Sequence, residues 1–139
     1  PSIAATVLTA LRLMREQPEL VDQCKENALW MRTELERMGF NCLASETAVV
    51  PIVIGSVEQM LWFNQRIFEE GVFANPVLPP AVPTNACLVR TSYMATHDRS
   101  ELQEALDIFE RVGVELGVIG PHKEAMADHW ANMSKTVGI

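Results

Sequence analysis

Positive charge is scarce in this 139-residue chain: 11 Lys and Arg stand against 18 Asp and Glu, for a formal net charge of −7. No basic stripe is available to hold a phosphate backbone, which argues against nucleic-acid binding. Lysine is scarcer still. Lys25 falls on a charged helical stretch and Lys123 and Lys135 in a polar tail, so none sits in an apolar run that would depress its pKa and make it a nucleophile. Cys24, Cys42 and Cys87 are scattered and odd in number, with no CxxC pair and no histidine at ligand spacing. Neither a disulfide framework nor a zinc site is expected, and a reducing, cytoplasmic setting is. No apolar run approaches the roughly 20 residues that span a bilayer, and no basic-then-apolar leader opens the sequence. Internal repeats and low-complexity segments are also lacking.

What is present is a chain with 48% hydrophobic residues, long enough to bury the core of one domain. Ile3, Val7, Leu8, Leu11 and Met14 recur at a helical period after Ser2, a candidate N-cap, until Pro18 interrupts. Val21, Cys24, Ala28, Met31, Leu35 and Met38 then mark the apolar stripe of a second helix that Gly39 ends. Phe40 to Leu43 and the β-branched run Val49 to Ile54 read as strands. Ser56 with Gln59, and Asp98 with Glu101, have capping-box spacing. The first box opens a helix through about Glu70 that buries Met60, Phe63, Ile67 and Phe68. The second opens one carrying Leu102, Ala105, Leu106, Phe109 and Val112, its end weakened by Gly113 and Gly117. Val72 to Val77 and Cys87 to Met94 are the remaining strands. A break at Gly120-Pro121 precedes a short helix with Met126, His129, Trp130 and Met133 on one face. This order of elements predicts an α+β fold, a small mixed or antiparallel sheet of three to four strands covered by helices.

Between the last two strands lies Asn75-Pro-Val-Leu-Pro-Pro-Ala-Val-Pro83. Pro76, Pro79, Pro80 and Pro83 fix φ and remove four backbone donors, which makes a stiff loop rather than a central strand. The loop feeds Cys87-Leu-Val-Arg-Thr-Ser-Tyr-Met-Ala-Thr-His97, an apolar strand with one arginine. A guanidinium taken out of water unpaired costs several kcal/mol, so Arg90 is expected to meet a carboxylate, from the protein or from a ligand.

These two segments, with Val49-Val-Pro-Ile-Val-Ile-Gly55, Phe68-Glu-Glu-Gly-Val-Phe-Ala-Asn-Pro76 and the opening Pro1-Ser-Ile-Ala-Ala-Thr-Val-Leu-Thr-Ala-Leu11, resemble the C-terminal domain of the α-oxoamine synthases, fold-type I enzymes that use pyridoxal phosphate. The resemblance runs over roughly residues 1 to 119. It implies that residues 1–120 form the small C-terminal domain, with 1–39 as long linking helices and 121–139 as a helical tail or extension. It implies decarboxylative condensation of an amino acid with an acyl-CoA to a 2-amino ketone, by a homodimer. The cofactor would be held by a domain this chain lacks, since the Schiff-base lysine and the residues that hold the pyridine ring lie upstream in such enzymes. The chain alone would then be inactive, and its first residue, proline rather than methionine, fits a fragment. Of its own residues, the resemblance gives Arg90 the substrate carboxylate and leaves the chain without catalytic or metal-binding residues.

Leu78 stands where some relatives carry a second arginine, so it points either to an apolar acyl chain or to ordinary packing. His97 reads as support for a helix start, Cys87 as a small buried hydrophobe, and Trp30, Trp62 and Trp130 as packing residues. His122 and His129 lack the spacing of metal ligands. Two rival readings stand beside this one: an aminotransferase small domain using the same arginine without CoA, and a self-standing α+β module that binds a ligand or partner through the proline loop.

Overall fold

Pro18 divides the opening helical stretch as its chemistry requires, since a residue without an N–H cannot continue a helix but suits its first turn. α1 spans Ser2–Glu16 and α2 spans Pro18–Met38. The computed structural model describes residues 2–137; Pro1, Gly138 and Ile139 lie outside them. Ser2 lies within the helix rather than capping it, and the Thr6 hydroxyl donates to its carbonyl at 3.1 Å. Gly39 closes α2 in the left-handed region (φ 99°), where its N–H reaches the last carbonyls of the helix.

Four short strands follow, β1 (Asn41–Cys42), β2 (Val49–Gly55), β3 (Asn75–Val77) and β4 (Cys87–Ser92), in one sheet of order β1-β2-β4-β3. Every pairing is antiparallel. The outer strands are shorter than the sequence suggests. At β3 the reason is local: the Val72 N–H is taken by the Ile67 carbonyl (2.8 Å) in the turn that closes the preceding helix, so ladder pairing begins only at Asn75. Pro76 is tolerated because β3 is an edge.

Helices α3 (Val57–Glu69) and α4 (Arg99–Glu115) pack with α2 over one face of this sheet. Asp98 and Glu101 form the expected reciprocal capping box. Ser56 caps α3, but Gln59 does not return the bond. Its amide instead donates to the Leu116 carbonyl at 3.0 Å, passing over Gly55, where a Cβ would lie 2.4 Å from Gln59 Oε1. α4 runs two residues past Gly113, which is also a buried close contact, where a Cβ would meet Phe40 Cζ at 2.6 Å. The core centres on Phe40, Phe63 and Phe109, whose ring centroids are 6.1–6.4 Å apart with Phe63 and Phe109 stacked. Met31, Leu35, Ile52, Met60, Ile67, Val89 and Leu106 complete it, each without accessible surface. Phe68, expected inside, is 62% exposed, because α3 turns it away from the sheet and toward Phe73.

Outside the sandwich, Arg66 on α3 joins Glu69, Glu70 and Glu115, and Arg111 pairs with Glu70, cross-linking α3 and α4 on their wet side. α5 (Lys123–Val137) docks on α3. Trp130 is buried there, and its indole N–H donates to the same Leu116 carbonyl that accepts from Gln59. Met126 and Met133 pack against the core that includes Trp130, and His129, though exposed, sets its ring edge-on to Trp130 at 5.2 Å. α1 contributes no buried residue; Ile3, Val7, Leu8, Leu11 and Met14 are all exposed on a helix that touches α2 alone among the other elements in any strength.

Candidate functional site on the open face of the sheet

The pleat of β4 sends alternate residues to opposite faces. Cys87, Val89, Thr91 and Tyr93 point under the helices and are buried. Leu88, Arg90 and Ser92 share the other face, and the register adds Val49, Pro51 and Val53 from β2 and Asn75 and Val77 from β3. None of α2, α3 or α4 covers that side.

Arg90 is therefore not inside the protein, as its apolar neighbours in sequence suggested. It is exposed, and among the described residues it has no ion-pair or hydrogen-bond partner. The misreading comes from treating the whole strand as buried on both faces, when on the far face Leu88 is buried but Arg90 and Ser92 are exposed. No carboxylate stands on the strand positions of this face, so the positive charge of Arg90 is uncompensated locally. Asn75 is directly opposite it across the β3–β4 ladder.

The buried half of β4 holds this arrangement firmly. The Thr91 hydroxyl lies 2.8 Å from the Val50 carbonyl and 3.0 Å from the Tyr93 hydroxyl. With one hydroxyl proton on Thr91 and an obligate acceptor at Val50, the Tyr93 O–H must donate into Thr91. Burial pushes the Tyr93 phenol well above its ordinary pKa, so it remains a donor. Asn27, 2% exposed, fixes the exit of the strand by donating to the carbonyls of Met94 and His97, both at 3.0 Å. Sequence reasoning missed Asn27, although it falls between Cys24 and Ala28 on the apolar stripe of α2, and a polar residue on such a stripe is itself a signal.

The other candidates fall elsewhere. His97 Nδ1 accepts from the Met94 N–H at 3.3 Å, so it stabilises the turn before α4 rather than the helix start itself. Leu78 is half-buried against the core at the start of the proline loop, which turns through Leu78–Ala81 and Pro83–Ala86 hydrogen bonds. Cys87 is fully buried, and desolvation raises its thiol; Cys42 is pushed up to about 11 by the same cause. Trp30 is stacked under the Arg99 guanidinium at 4.1 Å, but Trp62 is 47% exposed and is no core residue. Lys25 and Lys123 are exposed, and the side chain of Lys135 lies outside the described ones. A cavity of about 340 Å³ opens on the helix side between the 70–73 turn and α4, with Tyr93, His97, Glu101 and Phe109 in its lining and Arg90 not among them. No group of acids, histidines or cysteines able to hold a metal is found among the described residues.

The family model for aminotransferase class I and II matches residues 1–109. The chain belongs to that family. Within it, the chain is 38% identical to an 8-amino-7-oxononanoate synthase from Symbiobacterium thermophilum over 119 residues, covering 86% of this chain and 30% of the relative. It is 36% identical to a serine palmitoyltransferase from Sphingobacterium spiritivorum, covering 81% of this chain and 28% of that one. Among solved structures, one of SPT with a PLP internal aldimine superposes with a TM-score of 0.80 at 30% identity, over 86% of this chain and 30% of that chain. Sphingomonas wittichii serine palmitoyltransferase gives 0.80 at 26% identity, over 86% of this chain and 31% of that one. The resemblance to α-oxoamine synthases and the α+β fold are thus borne out, and the chain spans about 30% of the length of the relatives it matches. α5 lies beyond the stretch the family model covers.

Proposed function

We propose that residues 1–120 are the small domain of a pyridoxal-phosphate-dependent acyltransferase, and that Arg90 holds the carboxylate of its amino-acid substrate. The observation that carries this reading is the state of Arg90: a guanidinium on a doubly paired strand, exposed and with no acid paired to it among the described residues. A planar carboxylate can take two parallel N–H bonds from such a group, which orients the substrate as well as binding it. The likeness to α-oxoamine synthases supports the reaction class that we assign to the complete enzyme: an amino acid condenses with an acyl-CoA thioester, with loss of carbon dioxide, to give a 2-amino ketone and free CoA.

The described residues of this chain do not fit a cradle for the cofactor, because Lys25 and Lys123 are solvated and neither lies in an apolar pocket. Pyridoxal phosphate supplies an electron sink when bound, and its holding belongs to the rest of the enzyme. This chain's part is to bind the carboxylate, aim the reacting carbon and keep that aim, through the Thr91, Tyr93 and Asn27 bonds behind the strand. The bare apolar side of α1 supports the view that further protein packs there, in a cytoplasmic homodimer of the complete enzyme with 121–139 as its tail.

The test uses the complete gene product. Arg90→Ala should weaken amino-acid binding, followed by the visible absorbance of the enzyme, by about 10- to 100-fold, the range of a charged hydrogen-bonded pair. Arg90→Lys should recover only part of it. Unchanged affinity would remove Arg90 from the site. Turnover that makes a ketone without releasing the CoA thiol would select the aminotransferase reading, and a colourless product without amino-acid affinity would select the self-standing binding module.

A further inference from the structure

Arg90 does not stand alone on its face. The β3–β4 register sets Asn75 opposite it, and residues so paired in an antiparallel ladder project side by side with Cβ atoms about 4.5–5.5 Å apart. Both side chains are exposed, and among the described residues neither has a hydrogen-bond partner. Asn75 is also held in place by its sequence neighbour, because the residue before a proline is confined to extended backbone, and Pro76 locks the strand at that point. Among the described residues, the pair Asn75 and Arg90 is the only juxtaposition of a cation with an amide across the ladders of this face.

We infer that Asn75 is a second substrate-binding residue, whose Nδ2–H donates to the same carboxylate that Arg90 holds, and which sets how that carboxylate is turned. This rests on the reading of Arg90 given above. A carboxylate offers about four lone-pair sites; a bidentate guanidinium takes two and leaves one facing the β3 side for an amide donor. The charge on the face fits a monoanion. One guanidinium and a neutral amide match a carboxylate, whereas a CoA phosphate would call for further cations that the strand positions here do not supply. An asparagine rather than an aspartate is needed for the same reason, since an acid at 75 would occupy Arg90 from within.

The experiment compares Asn75→Ala, Asn75→Asp and Arg90→Ala in the complete gene product, titrated with the amino-acid substrate and, separately, with the acyl-CoA. Loss of one neutral donor predicts about three- to tenfold weaker amino-acid binding for Asn75→Ala. Asn75→Asp has the same shape, so packing is preserved, yet it should weaken binding by more than Asn75→Ala because its carboxylate competes for Arg90. The acyl-CoA KM should stay unchanged in both. A purely structural Asn75 would instead leave affinity alone and lower the thermal midpoint. Amino-acid affinity that is unchanged in Asn75→Ala, no weaker in Asn75→Asp than in the alanine variant, or replaced by a shift in acyl-CoA KM overturns the inference while Arg90 keeps its role. Unchanged affinity in Arg90→Ala overturns both. Should Asn75→Ala not fold, Asn75→Asp alone decides: affinity equal to the parent protein's overturns the inference, and affinity at least tenfold weaker supports it.

Discussion

The two faces of β4 were built from one hexapeptide and have opposite fates. On the covered face Val89 has no accessible surface and Thr91 has 6%, locked by hydrogen bonds to Val50 and Tyr93; on the open face, one residue along in each case, Arg90 and Ser92 reach solvent, and among the described residues their side chains have no hydrogen-bond or ion-pair partner. The covered face carries the stability of the sheet, and its regularity is what allows the open face to present a fixed charge. Strand geometry thus separates folding from binding at a spacing of one residue.

The widest expected gap between the faces is energetic. Phe63→Ala removes a buried ring stacked on Phe109 and should cost about 3–5 kcal/mol in equilibrium denaturation. Arg90→Ala should change stability by no more than about 0.5 kcal/mol, as surface substitutions do, while weakening amino-acid binding by about 10- to 100-fold. An Arg90→Ala protein destabilised on the scale of Phe63→Ala would mean that Arg90 is part of the scaffold, and the contrast between faces would be lost.

A narrower test uses adjacent residues. Thr91→Val keeps the shape but strips the hydroxyl that serves Tyr93 and Val50, leaving a buried phenol without its acceptor, and should cost about 1–3 kcal/mol. Ser92→Ala, next in the chain but on the open side, should stay within about 0.5 kcal/mol. Equal losses for the pair, measured by urea unfolding, would show that the open face is packed against something in solution.

Much of this was legible in the sequence, and the reasons differ by element. α2, α3 and α4 could be read because capping residues, proline and glycine punctuate apolar stripes of helical period. The site was legible only as a residue, Arg90, not as a surface. An apolar flank on both sides hides which strand residues face the helices, since Leu88 is also buried although it lies on the open side. Asn75 could not be found without the register, which pairs positions fifteen apart through a loop whose length does not encode the pairing. Gln59 looked like half of a capping box, and only tertiary contact sends it to Leu116 instead. The docking of α5 through Trp130 was open for the same reason.

The smallest effect concerns pH, and it sharpens the contrast because it belongs to the turn that links β4 to α4. The Ser100 hydroxyl, followed by the backbone N–H of Glu101, holds the Asp98 carboxyl below its ordinary range. A carboxyl whose pKa is depressed by folding contributes stability that is fully present above its unfolded value, about 3.9, and is lost as pH falls through the lower folded value. Asp98→Asn keeps an N-cap of similar quality but cannot titrate. The variant should therefore lose less of its thermal midpoint than the parent protein between about pH 5 and pH 2.5, with near-parity at neutral pH. Parallel acid limbs in the two proteins would show that the cap draws nothing from its charge, and that the start of α4 is held by geometry alone, as Arg90's strand is on its buried side.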